Sequence, residues 1–153
     1  MNINVQSEIG ALEAVLLHTP GAEVENMTPR MAQRALYSDI LNLSIALREY
    51  EQIVGVLSKV AKIYQVKDLL LKVLEDKERK EALVGRICVT EQVPEYFDQL
   101  MEITPQELAK VLIEGRPARK NTLTSFLSDE FYALYPLYNF YFTRDSSVTI
   151  GNQ

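Results

Sequence analysis

Apolar and polar positions along this chain follow two different periods, and the change between them divides the sequence. Leu12 to His18 (LEAVLLH) is a short apolar run, β-branched at its centre and stopped by Thr19-Pro20-Gly21, the pattern of a buried strand. An irregular stretch follows as far as Asp39. From Ile40 to about Lys62, Leu43, Leu47, Tyr50, Ile53/Val54, Leu57 and Val60/Ala61 recur at helical spacing. That spacing predicts a long amphipathic helix with one stripe against a core. Ile63 to Val66 (IYQV) reads as a second strand. A strand, helix and strand in this order form a crossover unit whose two strands lie parallel.

Beyond Val66 the pattern is helical. Asp68 is the expected N-cap of a helix through LLLKVLEDKERKEALV, and Thr104-Pro105-Gln106-Glu107 is a capping box with proline at the first helical position. The helix that box opens stops at Gly115. Residues 68–129 are therefore expected to form several short helices with no strand between them, a segregated helical lobe. β character returns at Asn139-Phe140-Tyr141-Phe142, with Asp145-Ser146-Ser147 as turn chemistry and Val148-Thr149-Ile150 as the start of a return strand. The resulting division is 1–67, 68–130 and 131–153. A front crossover unit and the beginning of a hairpin do not close a sheet, so the last strand is expected to be an unpaired edge open to another chain.

Composition narrows the class. With 153 residues, 47% hydrophobic and 24% charged, the chain is long and apolar enough for one folded domain. A net charge of −5 leaves no electrostatic footprint for nucleic acid. No apolar run is long enough to span a membrane, and MNINVQSEIG lacks the features of a signal peptide. One cysteine, Cys88, permits no internal disulfide, and with the single His18 it permits no Cys/His metal cluster. A cytoplasmic protein without a Cys/His metal cluster is the expectation.

The aromatic residues Tyr132, Tyr135, Tyr138, Phe140, Tyr141 and Phe142 lead into the adjacent Arg144 and Asp145. A carboxylate at the end of an aromatic strand is partly desolvated, and its two coplanar oxygens match the fork of a guanidinium. Phe142 could offer its ring face to the same flat cation, and Asn139 could bond a polar end of the ligand. The plainer reading is that Asp145 caps a turn and pairs with Arg144 or another surface cation. His18 reads as a structural residue with no partner near it in the sequence, and Cys88 as a small core residue. The run EDKERKEA (Glu75 to Ala82) reads as a solvated helix face, and EGRPARK (Glu114 to Lys120) as a loop cluster too small for nucleic acid.

Taken together, these segments resemble the N-terminal part of the bacterial arginine deiminases. LLHTPG (Leu16 to Gly21) stands against that family's Leu-Leu-His-Arg-Pro-Gly, with Thr19 in place of arginine. LYSDI (Leu36 to Ile40) stands against Leu-Phe-Asp-Asp-Ile, and Glu49-Tyr50 against a Glu-His on the long helix. The family also inserts a small helical bundle after its first strand–helix–strand unit. Tyr138 to Asp145 matches Pro-Asn-x-x-Phe-x-Arg-Asp with only the proline missing.

The resemblance implies an α/β fold, part of an α/β-propeller of the guanidino-group-modifying type with a helical-bundle insertion. It also implies hydrolysis of L-arginine to citrulline and ammonia without a cofactor. By match of motif, Asp145 would hold the substrate guanidinium, Phe142 would pack beside it, Asn139 would hold the amino-acid end, Leu36 would lie over the pocket, and Arg144 would be a structural ion-pair partner. The family's thiolate nucleophile, its histidine and its further carboxylates follow the motif, and neither Cys88 nor His18 falls at a catalytic position. The chain alone is thus expected to carry no catalytic residue and to be silent. The expected partner is the missing C-terminal half, or further copies of the chain, in a homo-oligomer, that cover the open sheet edge. The alternative is a naturally short, non-catalytic relative acting as an oligomerising or arginine-binding module.

Overall fold

The computed structural model describes residues 3–7, 9–27, 31, 32, 35, 37, 40–128, 131–146 and 151, and the fold is mixed α/β. Strand β1 (Ala14–Leu17) is followed by the single turn α1 (Ala22–Glu25), the long helix α2 (Leu43–Leu57) and strand β2 (Lys62–Gln65). β1 and β2 pair in parallel from Ala14↔Lys62 to Leu17↔Gln65, so the front of the chain is the crossover unit its periodicity predicts. α2 starts at Asn42, whose side chain accepts from Ser44 N and Ile45 N, a cap worth about 1 kcal/mol. Tyr50 is the buried centre of its stripe, with Leu43, Leu47, Val54 and Leu57 half-buried around it, whereas Ile53 and Val60 face solvent.

β2 runs directly into α3 (Val66–Leu74), and the expected cap at Asp68 is not one. Gln65 takes the cap position, and Asp68 lies in the first turn, where its charge complements the helix dipole. The helix expected to continue through EDKERKEA breaks at Glu75-Asp76, because the Asp76 carboxylate accepts from Arg79 N at 3.1 Å and opens α4 (Lys77–Thr90). That run is not wholly a solvated face either. Lys80, Val84 and Cys88 recur every four residues and form the buried stripe of α4. The Lys80 ammonium donates to the carbonyls of Met101 and Ile103 at 2.8 Å each, satisfying acceptors at the end of α5 (Phe97–Glu102).

After α5 the capping box forms as its sequence demands. Glu107 N donates to Thr104 Oγ1, Thr104 N donates to the Glu107 carboxylate, and α6 (Pro105–Glu114) follows. The lobe's core is Leu74, Val84, Cys88, Tyr96, Leu100, Leu108 and Ala109, joined by Leu134 from outside the helices. Burial pushes the Cys88 thiol up, with Glu95 adding to the effect, so the thiol is protonated at neutral pH. Gly115 ends α6 at φ 85°, and a Cβ there would lie 2.6 Å from Pro136 Cδ. Gly115→Ala is expected to cost about 1–3 kcal/mol through backbone strain and that clash, read as a lower urea midpoint at unchanged slope.

The expectation of no strand between residues 68 and 129 is overturned by β3 (Arg116–Pro117). This strand pairs antiparallel with β4 (Tyr132–Leu134), with a short helix α7 (Leu123–Leu127) in the connection. The expected aromatic strand at Asn139 is also corrected: the strand lies earlier, at Tyr132–Leu134. Pro136 denies the ladder a donor just beyond it. The chain then coils, with Phe140 N donating to Leu137 O, Phe142 N to Asn139 O and Asp145 N to Phe142 O, and it closes in the single turn α8 (Thr143–Ser146). Val148 to Ile150 lie outside the described residues, whereas Val5 and Gly151 exchange two backbone hydrogen bonds at 2.7 and 2.9 Å. Among the described residues the strands make two two-stranded sheets and no closed propeller, and no helix is long and apolar enough to cross a membrane.

Candidate functional site

The two segments that carry the family motifs meet at the end of β1. His18 follows the strand and is buried, its backbone N–H donating to the Tyr50 hydroxyl of α2 at 3.1 Å. Thr19-Pro20-Gly21 turns the chain so that α1 brings Glu23 back beneath the imidazole. His18 Nε2 lies 3.0 Å from Glu23 Oε1, and Gly21 N donates to the same oxygen at 2.7 Å. The two side chains are 4% and 1% exposed, so this pair sits in the protein interior. A Cβ at Gly21 would stand 2.7 Å from Glu23 Oε2, so a larger residue there would displace the carboxylate. The reading of His18 as lacking a neighbour is therefore corrected: its partner lies five residues on, across a Pro-Gly turn.

The Asn139–Asp145 loop is fastened to this strand end. The Phe140 ring lies 4.8 Å from the His18 ring, tilted at 48°, and Thr143 Oγ1 donates to Leu16 O at 2.9 Å. On its other side the loop meets the segment that carries LYSDI. The Tyr37 hydroxyl stands 2.8 Å from that of Tyr141 and 3.3 Å from Tyr138 O, while Asn139 Nδ2 makes a long 3.5 Å contact with Ala35 O. Burial, followed by the bond to Tyr141, pushes the Tyr37 phenol far above its ordinary value, so it stays protonated. Tyr138 packs with Met27, Met31 and Ala32 in a second small core.

Of the residues singled out from sequence, Asn139, Phe142, Arg144 and Asp145 share this one loop, and all four are exposed. Leu36 lies outside the described residues, although its neighbours Ala35 and Tyr37 touch the loop. Asp145 is not partly desolvated as expected, because it lies on a solvent-facing helical turn rather than at the end of a strand. Phe142 is 44% exposed and stacks against Tyr141 with ring centroids 4.2 Å apart. Asn139 lines an open depression of about 320 Å³ formed by Pro136 to Phe140. Phe140 also lines a second, apolar hollow of about 260 Å³ with Leu70, Leu83, Ile87 and Leu112 of the lobe. Among the described residues no three His, Cys, Asp or Glu side chains gather as a metal ion requires.

Sequence reasoning missed Glu23, Tyr37, Phe140 and Thr143. The His-x-x-x-x-Glu spacing across Pro-Gly was a local signal for the first. The other three act across more than a hundred residues and leave no trace in a linear pattern.

No protein-family model matches the chain. Among curated proteins it is similar to the arginine deiminase of Bacillus cytotoxicus, 33% identical over 97% of this chain and 40% of that protein. The arginine deiminase of Limosilactobacillus fermentum is 34% identical over 98% of this chain and 40% of its own length. That of Listeria monocytogenes is 32% identical over 98% and 40%. The chain thus spans about two-fifths of the length of the relatives it matches. It is a homologue of the arginine deiminases, aligned along nearly all of its own length and, consistent with an N-terminal portion, only part of theirs.

Proposed function

We propose that this chain is the guanidinium-holding part of an arginine deiminase-type hydrolase and is catalytically silent by itself. Its frame would be the first units of a cytoplasmic α/β-propeller, divided at 1–67, 68–130 and 131–153, with the middle part inserted as a helical bundle. Asp145 would accept two N–H bonds from the L-arginine guanidinium, Phe142 would pack on its plane and Asn139 would hold the amino-acid end. Leu36 would cover the pocket, and Arg144 would brace the loop through an ion pair. No cofactor enters the chemistry.

The reaction asks for a thiolate that attacks the guanidinium carbon. Ammonia leaves after taking a proton from an acid, and water then attacks the same carbon, releasing citrulline and the thiolate. Cys88 is unsuited to that role, being 3% exposed with its thiol held protonated by burial. The nucleophile would come from the part of the relatives this chain does not span. One observation carries the reading: in a chain that aligns with arginine deiminases over 97–98% of its length, the two segments that carry the resemblance, LLHTPG and Asn139–Asp145, pack on each other through Thr143 and Phe140. Citrulline formation on mixing the chain with the complementary part of a relative tests it.

A second reading, a short oligomerising relative, has one observation in its favour. Leu123, Phe126, Leu127 and Phe131 are 57–76% exposed along and beside α7, an apolar patch of the kind that draws a second copy. A concentration-independent monomer in sedimentation would remove it.

A further inference from the structure

The loop after α6 sets three cations within five residues, Arg116, Arg119 and Lys120, in a chain whose net charge is −5. Two of them converge. Arg116 Nη2 donates to Gln99 Oε1 at 2.8 Å, and Arg119 Nη2 donates to the same oxygen at 3.0 Å. Neither guanidinium has a carboxylate within ion-pair distance among the described residues. Two like charges sharing one neutral acceptor repel each other, and an amide dipole offsets only part of that repulsion.

The arrangement is held by the fold rather than by chance contact of long side chains. Arg116 is half-buried, its guanidinium carbon 4.9 Å from the ring centroid of buried Tyr96, and its backbone pairs with Leu134 in the β3–β4 ladder. Gln99 projects from α5 beside Leu100, which is fully buried. Lys120 is drawn to one side, with Nζ donating to Ser128 O at 2.6 Å and lying 6.0 Å from the Phe131 ring, so it adds positive potential without facing the pair.

We propose that Arg116 and Arg119 form a binding site for a phosphoryl group, with Gln99 Oε1 as the common acceptor that sets their spacing. One guanidinium fork satisfies a carboxylate. Two forks at a shared point suit a dianion with three terminal oxygens, and both remain charged at any pH of interest. Two arginines on an acidic chain are too few for a polyanion, so the ligand is a small one: inorganic phosphate or a phosphate monoester. The site shares no residue with the loop at Asn139–Asp145, and it does not depend on the deiminase reading.

The test is titration of the full chain with inorganic phosphate at about pH 8 and constant ionic strength, followed in amide NMR spectra, with glycerol phosphate and chloride as parallel titrants. Saturable shifts confined to residues 96–99 and 116–120 are expected. Affinity should fall at least tenfold in Arg119→Gln and stay unchanged in the distant control Arg48→Gln. Tighter binding of glycerol phosphate than of phosphate identifies an ester ligand, and the reverse order identifies the free ion. Shifts that do not saturate, that chloride reproduces, or that survive in Arg119→Gln would overturn the site. Arg119 is exposed, so this variant keeps the fold and decides the matter even if Arg116→Gln does not.

Discussion

Glu23→Ala is expected to lower the unfolding free energy by about 3–5 kcal/mol, the cost of leaving the groups that bond this buried side chain without their partner and of the void it would open. The Glu23 side chain is 1% exposed, and one of its oxygens takes both His18 Nε2 and Gly21 N. Truncation would leave an imidazole nitrogen and a backbone donor buried without acceptors, and would open a void beneath the turn. Consequences should spread, because the same imidazole supports the Phe140 ring and the strand end beneath it receives Thr143. Glu23→Gln keeps an acceptor in place and should cost only about 1–2 kcal/mol. Urea unfolding of both variants checks the order. An alanine variant within about 1 kcal/mol of the parent, where exposed sites ordinarily fall, would mean that the pair is solvated in solution. Domains of this size have only about 5–15 kcal/mol to lose, so Glu23→Ala could sit close to its unfolding threshold.

Asp145→Ala should have the opposite profile. The side chain is exposed on a four-residue helical turn, so the change in stability should stay within about 0.5 kcal/mol. On the proposed reading, the same substitution would remove a carboxylate from the substrate guanidinium in the completed enzyme. Truncating one partner of such a pair costs about 2–5 kcal/mol, which is about thirty-fold to several-thousand-fold in kcat/KM for arginine. Asp145→Asn, which keeps one acceptor and loses the charge, should fall between the two. A large loss of activity at unchanged stability separates a ligand-holding carboxylate from a turn cap, which would do the reverse.

The parts of the fold that were legible in the sequence are those set by local rules. The β1–α2–β2 unit follows from period and crossover handedness, and the Thr104 box and Gly115 stop follow from capping chemistry. Errors arose where two local signals competed. Asp68 lost the cap of α3 to Gln65 because β2 passes straight into the helix without a turn, while Asp76 opens a second helix where the run reads as one. In the aromatic tail, β propensity at Tyr141 and Phe142 lost to the break at Pro136 and to turn bonds that bring Thr143 onto Leu16. Of the site, the motif residues could be named but their surroundings could not. The His18–Phe140 and Tyr37–Tyr141 contacts depend on how distant segments dock, which periodicity does not encode.

The most direct measurement is citrulline formed from L-arginine by this chain alone and after co-refolding with the remaining three-fifths or so of an arginine deiminase relative. No product from the chain alone, product from the mixture, and loss of that product with Asp145→Ala is the expected set of results. Turnover by the chain alone would contradict the assignment, as would a mixture that co-purifies as one complex and makes no citrulline.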